Sequence, residues 1–195
     1  MAHHEITFPT DEATVRSFEA GDTVTIQGHI IGIRDATQIR IFDQGQEPPM
    51  SLEGAALLHT APNVRKLEGG RYEPLSIGTT TSARMSRFTE PLIRDYGARA
   101  IMGKGGLLPE ALGPLAEHGG VYLAIVGGAA ALQTTQIVEI EQVEWEDLMP
   151  ECLWRFRVAD FGPVIVAMDS HGKSLYEDVQ VEARRRIADS LSAKL

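Results

Sequence analysis

The stretch "LSIGTTTSARM", residues 75–85, sits where the hydrophobic pattern of the chain changes period. Up to it, "RYEPLSIG" reads as a strand. Beyond it, Met85, Phe88, Leu92 and Tyr96 recur at helical spacing, which predicts a helix from about Ser82 to Tyr96 with Pro91 as a kink point. Gly78 lets the backbone turn, and the hydroxyls of residues 79–82 are suited to cap orphan N–H groups at a helix start. That start carries a partial positive charge, so it is also a ready anion site. Thr80 and Arg84 are four apart and share a face if the helix has begun there. Residues 78–85 alone therefore read two ways: a cap beside a surface arginine, or part of a binding site.

Toward the N-terminus, "GAALLHT" is a strand candidate, and the Gly- and Pro-rich "FDQGQEPPMSLEG" is no regular element. "AGDTVTIQGHIIGIRDA" reads as a turn and then a strand with Val24, Ile26 and Ile30 on one face. Residues 1–20 read as an arm, or a short strand and turn, with His3 and His4 as a disordered tail rather than a metal site. Toward the C-terminus, "ARAIMG" is a buried strand ending in "GKGG", Pro109 opens a short helix to about Glu117, and "VYLAIVGG" is a second buried strand. "IVGGAAAL" reads as a close-packing segment. "TTQIVEIEQVEW", "LWRFRVADF" and "PVIVAMDS" read as three more strands. Val179, Ala183, Ile187 and Leu191, with charges between them, predict an amphipathic closing helix. Many strands, three or four helices, no repeat and no linker predict one α/β domain over residues 1–195.

Acidic residues outnumber basic ones 27 to 18, for a net charge of −9, which argues against a nucleic-acid partner. The same balance makes any convergence of cations more telling, because the average surface repels anions. No apolar run approaches the roughly 18–20 residues that span a bilayer. The opening "MAHHEITFPTDE" has no signal-peptide hydrophobic region. The single cysteine, Cys152, excludes an internal disulfide and cannot alone hold a metal cluster, so the expectation is a cytoplasmic chain with no membrane contact. The chain lacks GxxxxGKS/T, a helix-opening GxGxxG, HExxH and CxxC, which leaves a nucleotide or zinc reading without support.

Two loop cations complete the candidate site. Lys104 in "MGKGGLL" follows an apolar strand, and ligands of α/β sheets gather at the carboxyl ends of strands. Arg34 in "GIRDATQIR" likewise follows a strand, and reads either as a ligand or as a local ion pair with Asp35. If they converge with Arg84, three cations suit a dicarboxylate: each arginine grips a carboxylate in bidentate fashion and the lysine adds a point charge. Positive charge around Thr80 would favour its deprotonated hydroxyl.

"GIRDA", "LSIGTTTSARM", "MGKGG", "TTQIVEIEQVEW" and "MPECLWRFRVADFGPVIVAMDSHGKSLY" together resemble the β subunit, or C-terminal domain, of the iron–sulfur class I fumarate hydratase and L(+)-tartrate dehydratase family. The resemblance runs from about Gly21 to Tyr176, and several motifs in order make it specific. It implies a swivelling β/β/α domain of the fumarase C-terminal-domain type. It also implies a hydro-lyase that moves water across the C2–C3 bond of a four-carbon dicarboxylate, fumarate/L-malate or L-tartrate/oxaloacetate. The family pattern Gly-Pro-Thr-Thr-Ser-x-Arg-Met lays Thr80 on the threonine implicated as catalytic base and Arg84 on a carboxylate-binding arginine. Lys104 falls on the lysine of the Gly-Lys-Gly-Gly loop, and Arg34 on the arginine of the Arg-Asp motif. A 4Fe–4S cluster is implied on a separate, cysteine-bearing α subunit, with which this chain would form a hetero-oligomer; no metal ligand is expected here.

Two departures stand out. Thr79 occupies the family's proline position, which would loosen a pre-set turn, and Gln38 stands where histidine is usual. They motivate two other readings: a non-catalytic dicarboxylate-binding or regulatory module, and a hydratase subunit for a methylated dicarboxylate such as mesaconate. Cys152 reads as buried packing, His118 as a loop cap, Asp169 as a turn residue, and Trp145 and Trp154 as core or interface anchors.

Overall fold

A strand buried on both faces must be apolar at every position, and a strand with one wet face alternates. Both kinds occur in the computed structural model, which describes residues 1–126 and 128–192, with the side chains of 129–131 and 192 left aside. The strands are β1 (His3–Phe8), β2 (Thr23–Ile33), β3 (Ala56–His59), β4 (Asn63–Lys66), β5 (Tyr72–Ser76), β6 (Ala100–Gly103), β7 (Val121–Ala124), β8 (Ile137–Glu144) and β9 (Leu153–Met168). The α-helices are α1 (Glu12–Val15), α2 (Asp35–Phe42), α3 (Thr89–Arg94), α4 (Leu112–His118) and α5 (Leu175–Ser192).

Seven strands pair in the order β1-β2-β3-β6-β7-β9-β8, and β2 also pairs antiparallel with β9. This extra ladder joins β2, β3, β6, β7 and β9 into a ring, so the sheet is a barrel with β1 and β8 flanking it. β4 and β5 form a separate two-stranded sheet, of which the sequence reading anticipated only β5.

Alternation sorts the side chains into two cores. Ala56 and Leu58 of β3, Ala100 and Met102 of β6, and Val121 and Leu123 of β7 point into the ring, where they meet Val24, Ile26, Ile30, Trp154 and Phe156. Leu57, Ile101 and Tyr122, the intervening residues, point outward and are covered by Ile41 of α2, Leu92 of α3 and Leu115 of α4. The unbroken apolar lettering of "AIMG" and "VYLA" follows from this double burial. Of the run 127–131 read as a close-packing segment, Gly127 and the alanine side chains lie outside the described residues.

Four expectations need correction. The two C-terminal strand candidates are one strand, β9: Ile26 pairs with Phe161 and Val24 with Val164, so Gly162 (φ 140°) and Pro163 are absorbed as a bulge. The helix expected over 82–96 is a 3-10 turn, Ala83–Phe88, followed by the short α3. Pro91 lies in the first turn of α3, where no N–H is required, and it does not kink a longer helix. His3 and His4 belong to β1; the His4 ring packs 4.6 Å from that of Phe18, and its Nε2 lies 2.9 Å from Asp22 Oδ2. Lastly, α5 closes nothing, since Val179, Ile187 and Leu191 are 60–68% exposed. No helix among the described residues is long and apolar enough to cross a membrane.

Candidate active site

β2, β3 and β6 run parallel, so their carboxyl ends meet at one end of the barrel. Arg34 follows β2, Thr60 follows β3 and Lys104 follows β6. The threonine triplet enters between the last two. Thr79 bridges to Thr60 and Thr81 to Lys104. The Thr80 amide donates to the His59 carbonyl at 2.9 Å, Lys104 N–H to the Thr80 carbonyl at 3.2 Å, and Ser82 N–H to the Lys104 carbonyl at 3.0 Å. Residues 79–81 are thus a short extended piece wedged between two strand ends, and the helix-cap reading is corrected accordingly. Their hydroxyls do not cap the 3-10 turn, and the turn has no side-chain cap at Ser82.

Glycine chemistry explains how the wedge fits. A Cβ on Gly103 would lie 2.0 Å from Ser82 Oγ, so this glycine leaves the space that the serine fills. Gly105 and Gly106, at φ 76° and 78°, take consecutive left-handed conformations that other residues resist. Ser82 is fully buried; its Oγ lies 2.9 Å from His59 Nδ1 and 3.0 Å from the Tyr122 hydroxyl. Thr79, at the family's proline position, is buried and donates its hydroxyl to the His59 carbonyl at 3.1 Å. The turn is tied, not loosened.

A chain of charge holds the arginines. Arg84 donates Nε and Nη2 to the two oxygens of Asp35, at 2.8 and 2.6 Å, and Nη1 to the Thr81 carbonyl at 2.9 Å. Nη2 also lies 3.4 Å from Thr80 Oγ1. Arg34 Nε is 3.3 Å from both Asp35 and Glu151. Burial works to raise the Asp35 pKa, but the bonds from Arg84 and the charges of both arginines outweigh it and hold the carboxyl below its ordinary range. Arg84 is raised in turn, first by the Asp35 hydrogen bonds. α2 begins here for local reasons: Thr37 Oγ1 and the Arg34 main chain bond reciprocally at 2.8 Å, and Glu151 accepts from Ala36 N–H at 2.8 Å.

The structure therefore brings Arg34 and Arg84 together through Asp35, sets Thr80 beside Arg84, and ties Lys104 to Thr80 and Thr81 through the main chain. Lys104 has no carboxylate within ion-pair distance among the described residues, and Arg34 Nη1 and Nη2 carry no hydrogen bond among them. Thr80, Arg34 and Lys104 are each half-buried. Gln38, by contrast, is fully buried; its Nε2 contacts Met85 Sδ at 3.1 Å.

His59, Ser82 and Tyr122, a buried hydrogen-bonded trio beneath the triplet, were not singled out by the sequence reading. Burial, with Arg84 adding to it and Asp35 opposing, drives the His59 pKa down to about 3, so the ring is neutral. The one available signal was Gly103 ahead of Lys104. Elsewhere, Asp169 is the turn residue expected, accepting from His171 and Lys173 N–H at 2.9 Å. His118 ends α4, with its carbonyl accepting from Arg99 at 2.6 Å. Trp154 is core, and Trp145 packs under Arg40 at 5.2 Å.

Cys152 is completely buried against Met149 Sδ at 3.6 Å, and burial pushes its thiol up to about 11. No group of three or more His, Cys, Asp or Glu among the described residues is placed to hold a metal.

Arg34, Arg84, Lys104 and the Thr80 hydroxyl are thus gathered at one end of the barrel. Comparison with known proteins gives the family. Residues 3–179 match the model described as Fumarase C-terminus. The β subunit of L(+)-tartrate dehydratase from Escherichia coli (strain K12) is 37% identical over 188 residues, covering 93% of this chain and 90% of that protein. A Methanocaldococcus jannaschii protein provisionally named as the same subunit is 36% identical, covering 89% and 91%. A Geobacillus stearothermophilus protein provisionally named a class I fumarate hydratase is 38% identical over 92% of this chain, which spans 35% of its length. The chain belongs to the fumarase C-terminus family.

Proposed function

We propose that this chain is the β subunit of a hydro-lyase acting on a four-carbon dicarboxylate, either fumarate/L-malate or L-tartrate/oxaloacetate, and that its barrel is the swivelling β/β/α domain of that family. The observation that carries the reading is the convergence on Asp35, which draws Arg34 and Arg84 together beside Thr80. Arg34 offers both terminal nitrogens to one carboxylate, and Arg84, oriented by Asp35, offers its remaining Nη1 hydrogen. Lys104 supplies a point charge. Thr80 Oγ1, already facing Arg84 Nη2, exchanges the proton of the substrate C–H: in dehydration the proton passes to this oxygen in its deprotonated form, the C–H electron pair becomes the new C=C bond, and the hydroxyl on the neighbouring carbon leaves with the C–O electron pair. Nearby positive charge stabilises the oxyanion needed for that transfer. A 4Fe–4S cluster, which would act as a Lewis acid on the hydroxyl, is assigned to a cysteine-bearing α subunit, since the one cysteine of this chain, Cys152, is buried and would not suffice to ligate it. A reducing cytoplasmic setting fits one buried thiol and such a partner.

The hydrogen bond from Thr79 to the His59 carbonyl answers one of the two departures behind the non-catalytic module, and Gln38 is the other. A methylated substrate such as mesaconate draws on one observation: Ala83, Gly105, Leu107, Met168 and Tyr176 line a mostly apolar cleft of about 150 Å³ next to the triplet.

The test is oxygen-free purification of the chain from its own cells, with turnover assayed on fumarate, L-malate, L-tartrate and mesaconate. An iron-bearing subunit is expected to co-purify with activity on one of them. Thr80→Ala is expected to keep assembly and dicarboxylate binding while turnover falls by roughly 10² or more. A chain that purifies alone, despite intact clusters in the lysate, would sink the subunit reading. Near-wild-type turnover of Thr80→Ala would sink only its role as base.

A further inference from the structure

Four hydrogen bonds close a ring that runs through the threonine triplet. The Thr80 amide donates to the His59 carbonyl at 2.9 Å, and the Thr80 carbonyl accepts from the Lys104 amide at 3.2 Å. The Lys104 carbonyl accepts from the Ser82 amide at 3.0 Å, and Ser82 Oγ returns to His59 at Nδ1, 2.9 Å away. Three of the bonds are made by the main chain. The fourth joins two side chains, both completely buried. A main-chain bond at a strand end can be exchanged for one to water, whereas breaking a buried side-chain bond strands two desolvated polar groups. The His59–Ser82 bond is therefore the fixed point of the ring.

The surroundings leave room for this closure and give it no charge. Gly103, whose Cβ would lie 2.0 Å from Ser82 Oγ, makes the space. Tyr122 touches the ring from outside, with its hydroxyl 3.0 Å from the same oxygen. The His59 ring is neutral, burial having driven its pKa down to about 3, and burial raises that of the Tyr122 hydroxyl. The trio thus acts on Thr80 through position rather than through charge.

We infer that His59 and Ser82 are positioning residues whose side-chain bond keeps the Thr80 main chain in register with that of Lys104, a role that rests on the hydro-lyase reading of those two residues. Thr80 and Lys104 differ in what a lost register does to them. The Lys104 ammonium ends a flexible four-carbon stem and can follow a displaced backbone. Thr80 Oγ1 sits on a β-branched side chain with restricted χ1, so a backbone shift carries it away. An opened ring should then reduce turnover more than binding, since a displacement of about 1 Å can lower a rate by about 10²-fold.

The test uses the full-length chain, alone for amide hydrogen exchange and with its co-purified subunit for kcat and KM on fumarate, L-malate, L-tartrate and mesaconate. Ser82→Ala and His59→Leu remove the closing bond, and His59→Asn retains a polar group facing Ser82. Tyr122→Phe removes a buried hydroxyl from the same oxygen without opening the ring. Ser82→Ala and His59→Leu should each lower kcat at least about tenfold while KM stays within about threefold. In both, the Thr80 and Lys104 amides should exchange at least about tenfold faster, with Ile101 and Leu123 in β6 and β7 unchanged. His59→Asn and Tyr122→Phe should keep kcat within about threefold of wild type. Unaltered kcat or unaltered exchange in Ser82→Ala overturns the inference. So does a Tyr122→Phe variant that loses as much turnover as Ser82→Ala, because general loosening of the core would then explain both. A wild-type complex that turns over none of the four substrates sinks the hydro-lyase reading instead, and amide exchange still decides whether the ring holds Thr80.

Discussion

His59 shows what burial does to a single side chain beneath the threonine triplet. Its ring ends β3 with no exposure to speak of, Nδ1 is satisfied by Ser82, and Nε2 has no partner among the described residues. A folded-state pKa near 3 against about 6.5 unfolded means that protonation favours the unfolded chain. The associated stability is complete above pH 6.5 and is lost as pH falls toward 3, by at most about 1.4 kcal/mol per pH unit. His59→Asn keeps a short polar group in the position of Nδ1 and should remove that part of the acid slope. Urea unfolding of both proteins at pH 7, 6, 5 and 4 checks this, and parallel slopes would refute it. The residue scale is also where the sequence was most legible. Arg34, Thr80, Arg84 and Lys104 stand in short motifs whose order is visible without a structure. Ser82 was not legible, because its role depends on the missing side chain of Gly103, twenty-one positions away, and a serine after three threonines reads as one more cap.

Elements were legible wherever their apolar period was decided by one neighbour, and misread where the neighbour was remote. β3, β6 and β7 could be found because burial on both faces leaves almost only apolar letters, His59 at the end of β3 being polar. β9 looked like two strands because Gly162 and Pro163 signal a break, and only pairing with β2 shows that the ladder carries on past them. β1 makes the same point from the other side: its two histidines suggested a tail, yet it pairs in register with β2 from His3 to Phe8. Its attachment rests on Asp22, which accepts from Ala2 N–H at 2.6 Å, His4 Nε2 at 2.9 Å and Glu19 N–H at 3.1 Å. These bonds, the Ala2 amide foremost, lower the Asp22 pKa to about 2. A depressed carboxyl stabilises the fold above its unfolded pKa of about 4, and the gain disappears as pH falls through 2. Asp22→Asn should therefore cost about 1–2 kcal/mol at pH 7. The gap from wild type should narrow between pH 4 and 2 in thermal melts. A gap that is constant with pH would rule out this linkage.

The whole molecule depends on a closure that no local pattern announces. Residues 23–32 meet residues 154–165 across most of the chain, and this ladder turns an open sheet into a ring whose parallel strand ends are held at one mouth. Gly32 lies on that seam, one residue before β2 ends and two before Arg34. A Cβ there would meet Phe156 Cε2 at 2.7 Å, Thr60 Cγ2 at 3.0 Å and Trp154 Cβ at 3.1 Å. Two of these neighbours form the core of the ring. The third, Thr60, donates its hydroxyl to the Gly78 carbonyl at 2.6 Å and bridges to Thr79, so it carries any displacement into the threonine triplet. Gly32→Ala should consequently lower stability by about 1–3 kcal/mol through overpacking. It should also lower turnover of the assembled hydro-lyase while leaving co-purification intact. Gly113→Ala is the matched control. It lies within α4 with nothing inside 4 Å of the added methyl, and should be neutral or stabilising by roughly 0.5–1 kcal/mol with unchanged turnover. Urea unfolding and the fumarate and tartrate assays, run on both variants, separate the outcomes. If Gly32→Ala loses stability but keeps full turnover, the seam supports the barrel without positioning the triplet. If it loses neither, the close packing at Gly32 yields freely, and the rigid link from barrel closure to site geometry is wrong.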